Sequence, residues 1–185
     1  MMQATDSTFS NQTVALPKIP DYRDVEFEPV AESYRRYTVL STLLYWLLPL
    51  LVVIAAQFFP AIPFYPGMLV VIALVVAVLA IGVYRWLDAA YRGWALRDHD
   101  IVARAGVVWR GVTVLPIARI QHVETTHGPL ERAHGLARLK LYTAGGLTAD
   151  LIVIGLARET ADRLREFLVE QIRRRDSSPA QRPDE

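Results

Sequence analysis

Two kinds of residue are missing from this sequence in ways that narrow its class. There is no cysteine, which excludes a disulfide framework, a thiol nucleophile and a zinc site of the cysteine type. Charge is missing locally, because residues 37–84, 48 consecutive positions, contain no Asp, Glu, Lys, Arg or His. Such a stretch excludes a simple soluble globular domain and a wholly disordered chain. The formal net charge of +1 offers no excess of positive charge for nucleic-acid binding.

The charge-free stretch has the length of two membrane-spanning helices. A hydrocarbon core of about 30 Å needs about 20 helical residues per crossing, so the stretch is too long for one helix. Residues 59–67 contain three prolines and a glycine, which oppose continuous helix. We therefore predict a transmembrane hairpin over residues 34–86, with spans at about 37–59 and 67–85.

The charges that flank the hairpin predict its orientation. Arg35 and Arg36 precede the first span, Arg85 and Arg92 follow the second, and the connecting loop carries no charge. Positively charged residues are retained on the cytoplasmic side of membranes. We therefore expect a multi-pass protein of the plasma (inner) membrane with both termini in the cytoplasm.

Small and polar residues within the spans suggest helix contact rather than transport. Ala73, Ala77 and Ala80 recur at roughly helical spacing, which permits close packing between the two spans. Gln57 is the most polar residue of either span, and we place it near the outer interface. A transporter normally needs more helices and an ionisable group at membrane depth, and the sequence offers neither.

Outside the hairpin the chain divides into three parts. Residues 1–33 contain three prolines, scattered acids and no sustained periodicity, which is typical of a disordered cytoplasmic leader, although a short helix or strand over residues 25–37 would lead into the membrane. Residues 87–175 are enough for one small domain, and residues 176–185 form a polar tail that we expect to be disordered.

The region 87–175 has the pattern of a small β domain closed by a helix. A polar loop is expected after Gly128-Pro129, and residues 157–173 place apolar side chains at three- and four-residue steps, which predicts an amphipathic helix. Six or seven short strands followed by one helix favour an antiparallel sheet or small barrel capped at one end. The clearest strand-like segments are residues 101–105, 107–115, 120–126, 139–143 and 151–154.

Two motifs in this region carry a resemblance to a known family. They are Pro116-Ile-Ala-Arg119-Ile-Gln121 and Leu130-Glu131-Arg132-Ala-His-Gly135-Leu136, in this order and after two spans. The chain resembles the bacterial pleckstrin-homology-like (PH-like) membrane proteins of the YdbS type over about residues 35–172. The resemblance implies a PH-like barrel with a capping C-terminal helix, preceded by two transmembrane helices. It implies no enzyme, no catalytic residues and no cofactor.

The polar residues of the two motifs are the candidate interface: Arg119, Gln121, Glu131 and Arg132. One interpretation is structural, because an arginine and a glutamate on adjacent strands can form a bidentate pair that holds a loop in register. The other interpretation is a recognition site for a partner or for a lipid headgroup beside the membrane. The residues alone leave both open.

Basic residues near the hairpin and at the end of the last helix are the candidates for facing lipid: Arg85, Arg92, Arg173, Arg174 and Arg175. Each charge that reaches an anionic leaflet contributes about 1 kcal/mol. The alternative is an ordinary solvated surface. The spacing of the four histidines fits no familiar ligand motif, and no nucleophile is accompanied by a base and an orienting acid, so we expect no metal site and no catalytic residues.

Together these observations predict a non-enzymatic, membrane-anchored PH-like protein that acts as a scaffold or assembly partner in a membrane protein complex. The expected partners are membrane lipid and another membrane protein, for which the family resemblance suggests a larger protein with several PH-like domains; a second copy of the chain is also open. The first alternative is binding of anionic lipid by the basic surface of the domain. A membrane enzyme is the disfavoured second alternative.

Overall fold

The structure of the protein is a computed structural model, and it describes residues 25–56, 58, 67–146 and 148–177. Within these described residues, four helices and seven strands follow one another, with a 3-10 turn at Ile117–Arg119 between β4 and β5. The helices are α1 (Glu32–Ala56), α2 (Met68–Tyr91), α3 (Pro129–Ala133) and α4 (Arg158–Ser177). The strands are β1 (Glu28–Pro29), β2 (Gly93–Leu96), β3 (Asp100–Ala105), β4 (Gly111–Pro116), β5 (Ile120–Thr126), β6 (Leu136–Thr143) and β7 (Leu151–Ala157).

The two apolar helices confirm the predicted transmembrane hairpin. α1 and α2 are 25 and 24 residues long, which gives each a length of about 36 Å. Both extend past the predicted spans on the side of the domain, because hydropathy marks only the part that lies in hydrocarbon, whereas helical hydrogen bonding continues into the polar flanks. Gln57 and the proline-rich loop of residues 59–66 lie outside the described residues.

The contact between the two helices differs from the prediction. Thr38 and Thr42 are buried on α1, and their hydroxyls donate hydrogen bonds to the carbonyls of Arg35 and Thr38, each at 2.7 Å. On α2 the buried residue of the span is Val78. The alanines Ala73, Ala77 and Ala80 are exposed, so the interpretation that they pack against α1 is wrong. Neighbouring positions on a helix point about 100° apart, and the alanines lie off the contact face.

The β domain has the expected PH-like architecture. A four-stranded sheet, in the order β1-β2-β3-β4, and a three-stranded sheet, in the order β5-β6-β7, are both antiparallel. α4 packs against all three strands of the second sheet and against the 3-10 turn. The core between sheets and helix is apolar, and its fully buried members include Ile101, Ile120, Leu139, Leu141 and Leu168.

The first sheet contains a strand from before the membrane hairpin. β1 pairs with β2, with Glu28 opposite Trp94 and Pro29 opposite Gly93. The hairpin is therefore inserted between the first two strands of the sheet, and the domain is not confined to residues 87–175. The disordered leader predicted over residues 1–33 is wrong for its last part, where the short helix or strand predicted over residues 25–37 is present as β1 and the beginning of α1. Residues 1–24 and 178–185 lie outside the described residues.

Two further segments of the domain correct the sequence prediction. The strand expected over residues 107–115 begins only at Gly111, because the chain turns after Gly106, which has φ +89°. At Gly106 a Cβ atom would lie 2.0 Å from the Trp109 carbonyl oxygen, so this turn requires glycine. The polar loop expected after Gly128-Pro129 is instead the short helix α3, which begins with proline at its first position.

The antiparallel strands give the domain two ends. At the membrane-proximal end, β2 begins and β3 ends beside the last turn of α2, and β7 ends beside the first turn of α1. At the membrane-distal end lie the 3-10 turn, the beginning of β5 and the end of β6. α4 begins near Gly135 at the proximal end and, with about 30 Å of helix, reaches the distal end.

Candidate functional site

At the membrane-proximal end the first turn of α1 is locked into the domain. The Tyr34 ring is only 5% exposed and packs with Ala89 of α2 and Leu136 of β6. The Ala31 amide donates a hydrogen bond to the Gly155 carbonyl at 2.8 Å. Gly155 has φ +77°, and a Cβ atom there would lie 2.6 Å from the Tyr34 ring. Both the backbone conformation and the space therefore demand glycine, and the membrane hairpin is fastened to the domain at this contact.

Glu131, one of the predicted interface residues, is an internal structural group. Its side chain is buried, and its carboxylate accepts hydrogen bonds from the Gly128 amide at 2.8 Å and from Arg138 Nε at 2.5 Å. The first bond caps α3 and the second ties α3 to β6. The hydrogen bond to Glu131 raises the pKa of the Arg138 guanidinium. A glutamate–arginine pair does hold a loop in place, but the arginine is Arg138 rather than Arg119 or Arg132.

α3 also contacts the membrane hairpin. The His134 ring meets the Tyr37 ring of α1 edge to face, with centroids 6.1 Å apart. His134 Nδ1 lies 2.9 Å from the Leu130 carbonyl oxygen, which orients the ring. Arg132 is exposed on the same short helix. The second motif therefore surrounds the joint between the hairpin and the domain.

The first motif lies at the opposite end of the domain. Arg119 and Gln121 are exposed at the beginning of β5, where Ile120 is opposite Thr143, whereas the far end of β5 pairs with Arg138. Six residues of strand separate these ends by about 20 Å. The four predicted interface residues therefore form two sites, and the structure does not bring Arg119 and Arg132 onto one face.

Arg119 and Gln121 line an open cavity of about 610 Å³, which we call the distal pocket. Arg175 forms another part of its wall, and its Nη1 donates hydrogen bonds to the carbonyls of Ala118 at 2.5 Å and Ile120 at 3.3 Å. Within the described ranges, no ion pair or hydrogen bond occupies the side chains of Arg119 and Gln121. The complete lining is Ala118, Arg119, Gln121, Thr143, Ala144, Arg175 and Asp176.

The five basic residues predicted to face lipid do not share a surface. Arg85 and Arg92 lie on and just after α2 at the proximal end, and the Arg92 side chain pairs with Asp88 at 2.7 Å. Arg173, Arg174 and Arg175 lie at the distal end of α4, and the first two pair with Glu170. The position of these three arginines, a domain length away from the spans, does not support contact with the bilayer that holds α1 and α2.

Sequence reasoning missed the residues that join the hairpin to the domain and one exposed apolar turn. Tyr34 and Gly155 are distant in sequence, so no local pattern links them. Val108 and Trp109 are 62% and 84% exposed in the turn between β3 and β4. The flanking glycines Gly106 and Gly111 indicate a turn, but the β-branched residues of this segment are typical of a strand, and the sequence therefore predicts a strand instead. Among the described residues, no three His, Asp or Glu side chains are grouped to hold a metal ion.

The comparisons with known proteins agree with this architecture. The family model described as "Bacterial PH domain" matches residues 38–172, a range that begins within α1 and ends within α4, and therefore leaves out β1 and Tyr34. The "UPF0699 transmembrane protein YdbS" of Bacillus subtilis (strain 168) is 32% identical over 75 residues, 40% of this chain and 45% of that relative. The match thus spans less than half the length of the relative. No solved structure gives a significant match. The chain belongs to the bacterial PH domain family and is a membrane protein of the YdbS type.

Proposed function

We propose that this protein is a non-enzymatic assembly partner of another membrane protein at the cytoplasmic face of the plasma membrane. The observation that carries the proposal is the distal pocket, in which Arg119 and Gln121 are exposed and unoccupied by any described side chain. The expected partner is a larger membrane protein with several PH-like domains, which presents an acidic segment to this pocket. The chain's own family is not a known enzyme family.

The chemistry of the distal pocket suits an acidic peptide segment. A guanidinium presents a planar fork of donors that matches a carboxylate, and the Gln121 amide can both donate and accept. Arg175 adds a second positive charge, which its bonds to the Ala118 and Ile120 carbonyls hold in place. Charge-assisted hydrogen bonds of this kind each contribute about 1.5–3 kcal/mol. Asp176 at the rim disfavours a partner that is uniformly acidic.

The rigid attachment of the domain supports the same function. β1 and the Tyr34–Gly155 contact fasten the chain just before α1, and β2 fastens it directly after α2. A domain held at both ends of the hairpin keeps the distal pocket at a fixed height above the membrane, about 30 Å by the length of α4. A partner with its own membrane anchor would meet the pocket at a defined distance.

A photo-crosslinking experiment on the full-length chain in native membranes tests the proposal. We would place a photoreactive residue at Gln121, and at the exposed proximal Arg132 as the matched control. We expect Gln121, but not Arg132, to crosslink to an integral membrane protein with several PH-like domains, and Arg119→Glu to abolish the product. Crosslinking equally from both positions, or only to a second copy of this chain, would contradict the proposal.

The proposed orientation rests on the proximal arginines. Arg35 and Arg36 lie at the start of α1, and Arg85 lies at the matching level of α2, so the domain side of the hairpin carries the positive charge. The sequence has no cysteine, so single cysteines at Ala144 and Ser177 give a clean topology assay with a membrane-impermeant reagent. We expect no labelling in intact cells; labelling there would place the domain outside.

Anionic lipid is a second candidate ligand, and the same proximal arginines favour it. Arg35 stacks over Trp86, with 5.5 Å from its guanidinium carbon to the ring centroid, at the level where tryptophan commonly marks the membrane interface. The distal arginines Arg173, Arg174 and Arg175 serve as the control. Charge removal at Arg35 and Arg85 is expected to reduce the preference of the reconstituted protein for phosphatidylglycerol, and removal at the three distal arginines to leave it unchanged.

A further inference from the structure

The turn between β3 and β4 carries the most exposed aromatic side chain of the described part of the domain. Val108 and Trp109 are 62% and 84% exposed, next to Arg110. Gly106 fixes the turn, because no side chain fits there against the Trp109 carbonyl. An apolar pair held outward by a tight turn, rather than folded onto the sheet, indicates a surface that contacts something apolar.

The register of the sheet directs this turn toward the bilayer. β2 leaves the end of α2 and runs away from the membrane, and β3 returns antiparallel to it, with Arg104 opposite Gly93. Ala105 and Gly106 continue past the point where β2 begins, which carries the turn about 6–7 Å further toward the membrane. The turn therefore lies beside the last turns of α2 rather than above them.

Cation–π contacts hold the turn against α2. The Arg110 guanidinium carbon lies 5.2 Å from the centroid of the Tyr91 ring, the last residue of α2. Arg104 also contacts Tyr91, at 5.3 Å, and lies over Phe27 at 4.6 Å. We take Arg85 as the level at which the hydrocarbon core ends, and Tyr91 follows it by six residues, or about 9 Å of helix. The polar headgroup layer extends about 5–8 Å beyond the core. Because the turn extends about 6–7 Å back toward the membrane, its tip lies within that layer.

We propose that the β3–β4 turn is a membrane-contact loop, in which Val108 and Trp109 enter the headgroup region of the cytoplasmic leaflet and Arg110 meets lipid phosphate. Tryptophan is favoured at this depth, and an arginine beside anionic lipid contributes about 1 kcal/mol. The domain then touches the membrane at a third place besides the two helices. Contact at three places fixes its tilt, which two adjacent helices alone do not.

Spin labelling of the full-length protein tests this proposal. In the cysteine-free chain we would introduce Val108→Cys, and Asp98→Cys in the exposed distal turn between β2 and β3 as the matched control, which lies outside the distal pocket. Each labelled protein is reconstituted into mixed bilayers of phosphatidylcholine and the anionic lipid phosphatidylglycerol. Collision with oxygen, which concentrates in lipid, is compared with collision with a water-soluble nickel chelate.

The expected result is a label at position 108 that is several-fold more accessible to oxygen than to nickel, and a label at position 98 with the opposite preference. Trp109→Ser in the Val108→Cys background is expected to return the label to water, while a label at position 98 in a Trp109→Ser chain reports an unchanged domain. A label at 108 that is open to nickel overturns the proposal. A label at 108 shielded from both reagents also overturns it, because the turn then contacts protein. Neither result depends on the distal pocket.

Discussion

The two ends of the PH-like domain differ in how their polar residues are packed. The proximal end is closed: Tyr34 is buried, Gly155 admits no side chain, and the polar group Glu131 is satisfied by two hydrogen bonds. The distal end is open, and Arg119 and Gln121 project into a cavity. Each end carries one of the two motifs on which the sequence resemblance rests, and Glu131 of one motif is buried while Arg119 and Gln121 of the other are exposed. Burial and hydrogen bonding separate the two.

The largest loss of stability is expected at Gly155, in the closed proximal end of the domain. Gly155→Ala places a Cβ atom 2.6 Å from the Tyr34 ring and forces a positive φ on a residue with a side chain. We expect a loss of about 3 kcal/mol in the free energy of unfolding, from strain and overpacking together. Denaturant unfolding of the purified full-length protein, followed by tryptophan fluorescence to which the buried Trp94 contributes, measures it.

Gly135→Ala is the matched control for this prediction. Gly135 also has a positive φ, +66°, but no atom lies within 4 Å of its Cβ position. Its substitution isolates the backbone cost, which we expect to be about 1 kcal/mol. Equal losses at the two glycines would show that the Tyr34 contact does not join the hairpin to the domain.

A smaller loss is expected at Glu131. Glu131→Gln keeps the shape of the side chain but removes the charge that Arg138 and the Gly128 amide share. The expected cost is about 2 kcal/mol, because both bonds are to a charged acceptor. Thermal unfolding of the variant measures it. Arg132→Gln, one residue away and exposed, is expected to change stability by less than about 0.5 kcal/mol, and a similar loss at both positions would contradict the assignment.

The pair Glu124–Tyr142 connects β5 to β6 between the two ends and predicts a pH dependence. The Tyr142 hydroxyl donates to the Glu124 carboxylate at 2.8 Å, and this bond, with Lys140 nearby, lowers the pKa of Glu124. The stability it contributes is present above the unfolded pKa, near 4.5, and is lost as the pH falls through the lower folded value. Tyr142→Phe is expected to flatten the acid side of the stability profile; an unchanged profile contradicts the assignment.

The smallest effect on stability is expected at the distal pocket. Arg119→Ala removes an exposed side chain without a partner among the described residues, so the free energy of unfolding should change by less than about 0.5 kcal/mol. Binding of the partner should nevertheless be lost, as judged by co-purification of the full-length protein. A variant that unfolds would instead assign Arg119 to the structure of the domain, as Glu131 is.

The parts of the molecule that sequence reasoning could predict are those with local signals. The 48 charge-free residues and the three prolines that divide them located both spans, and apolar alternation located β5 and the interior of β6. The pairing of β1 with β2 could not be predicted, because the two strands lie on either side of the hairpin and β1 is only two residues long. The pairing of Glu131 with Arg138 could not be predicted either. The sequence contains several arginines, and only the position of Arg138 on β6 brings it next to Glu131.

The placement of the motif residues shows the same limit. Arg119 and Arg132 are 13 positions apart, and a strand between them carries them to opposite ends of the domain. The spacing of residues along a chain does not reveal this without the direction of the strand relative to the membrane. The positive charge of Arg173–Arg175 likewise makes these residues candidates for lipid contact, whereas the direction of α4 places them at the end of the domain that is distant from the membrane.

The insertion of the hairpin between β1 and β2 has a consequence for how the protein is made. β1 leaves the ribosome before either membrane helix, and β2, its strand partner among the described residues, emerges after both. The sheet therefore stays incomplete until α1 and α2 have been synthesised and their ends brought together, which insertion as a hairpin accomplishes. Until then the edge of β2 is unpaired, and an unpaired strand edge can pair with another chain.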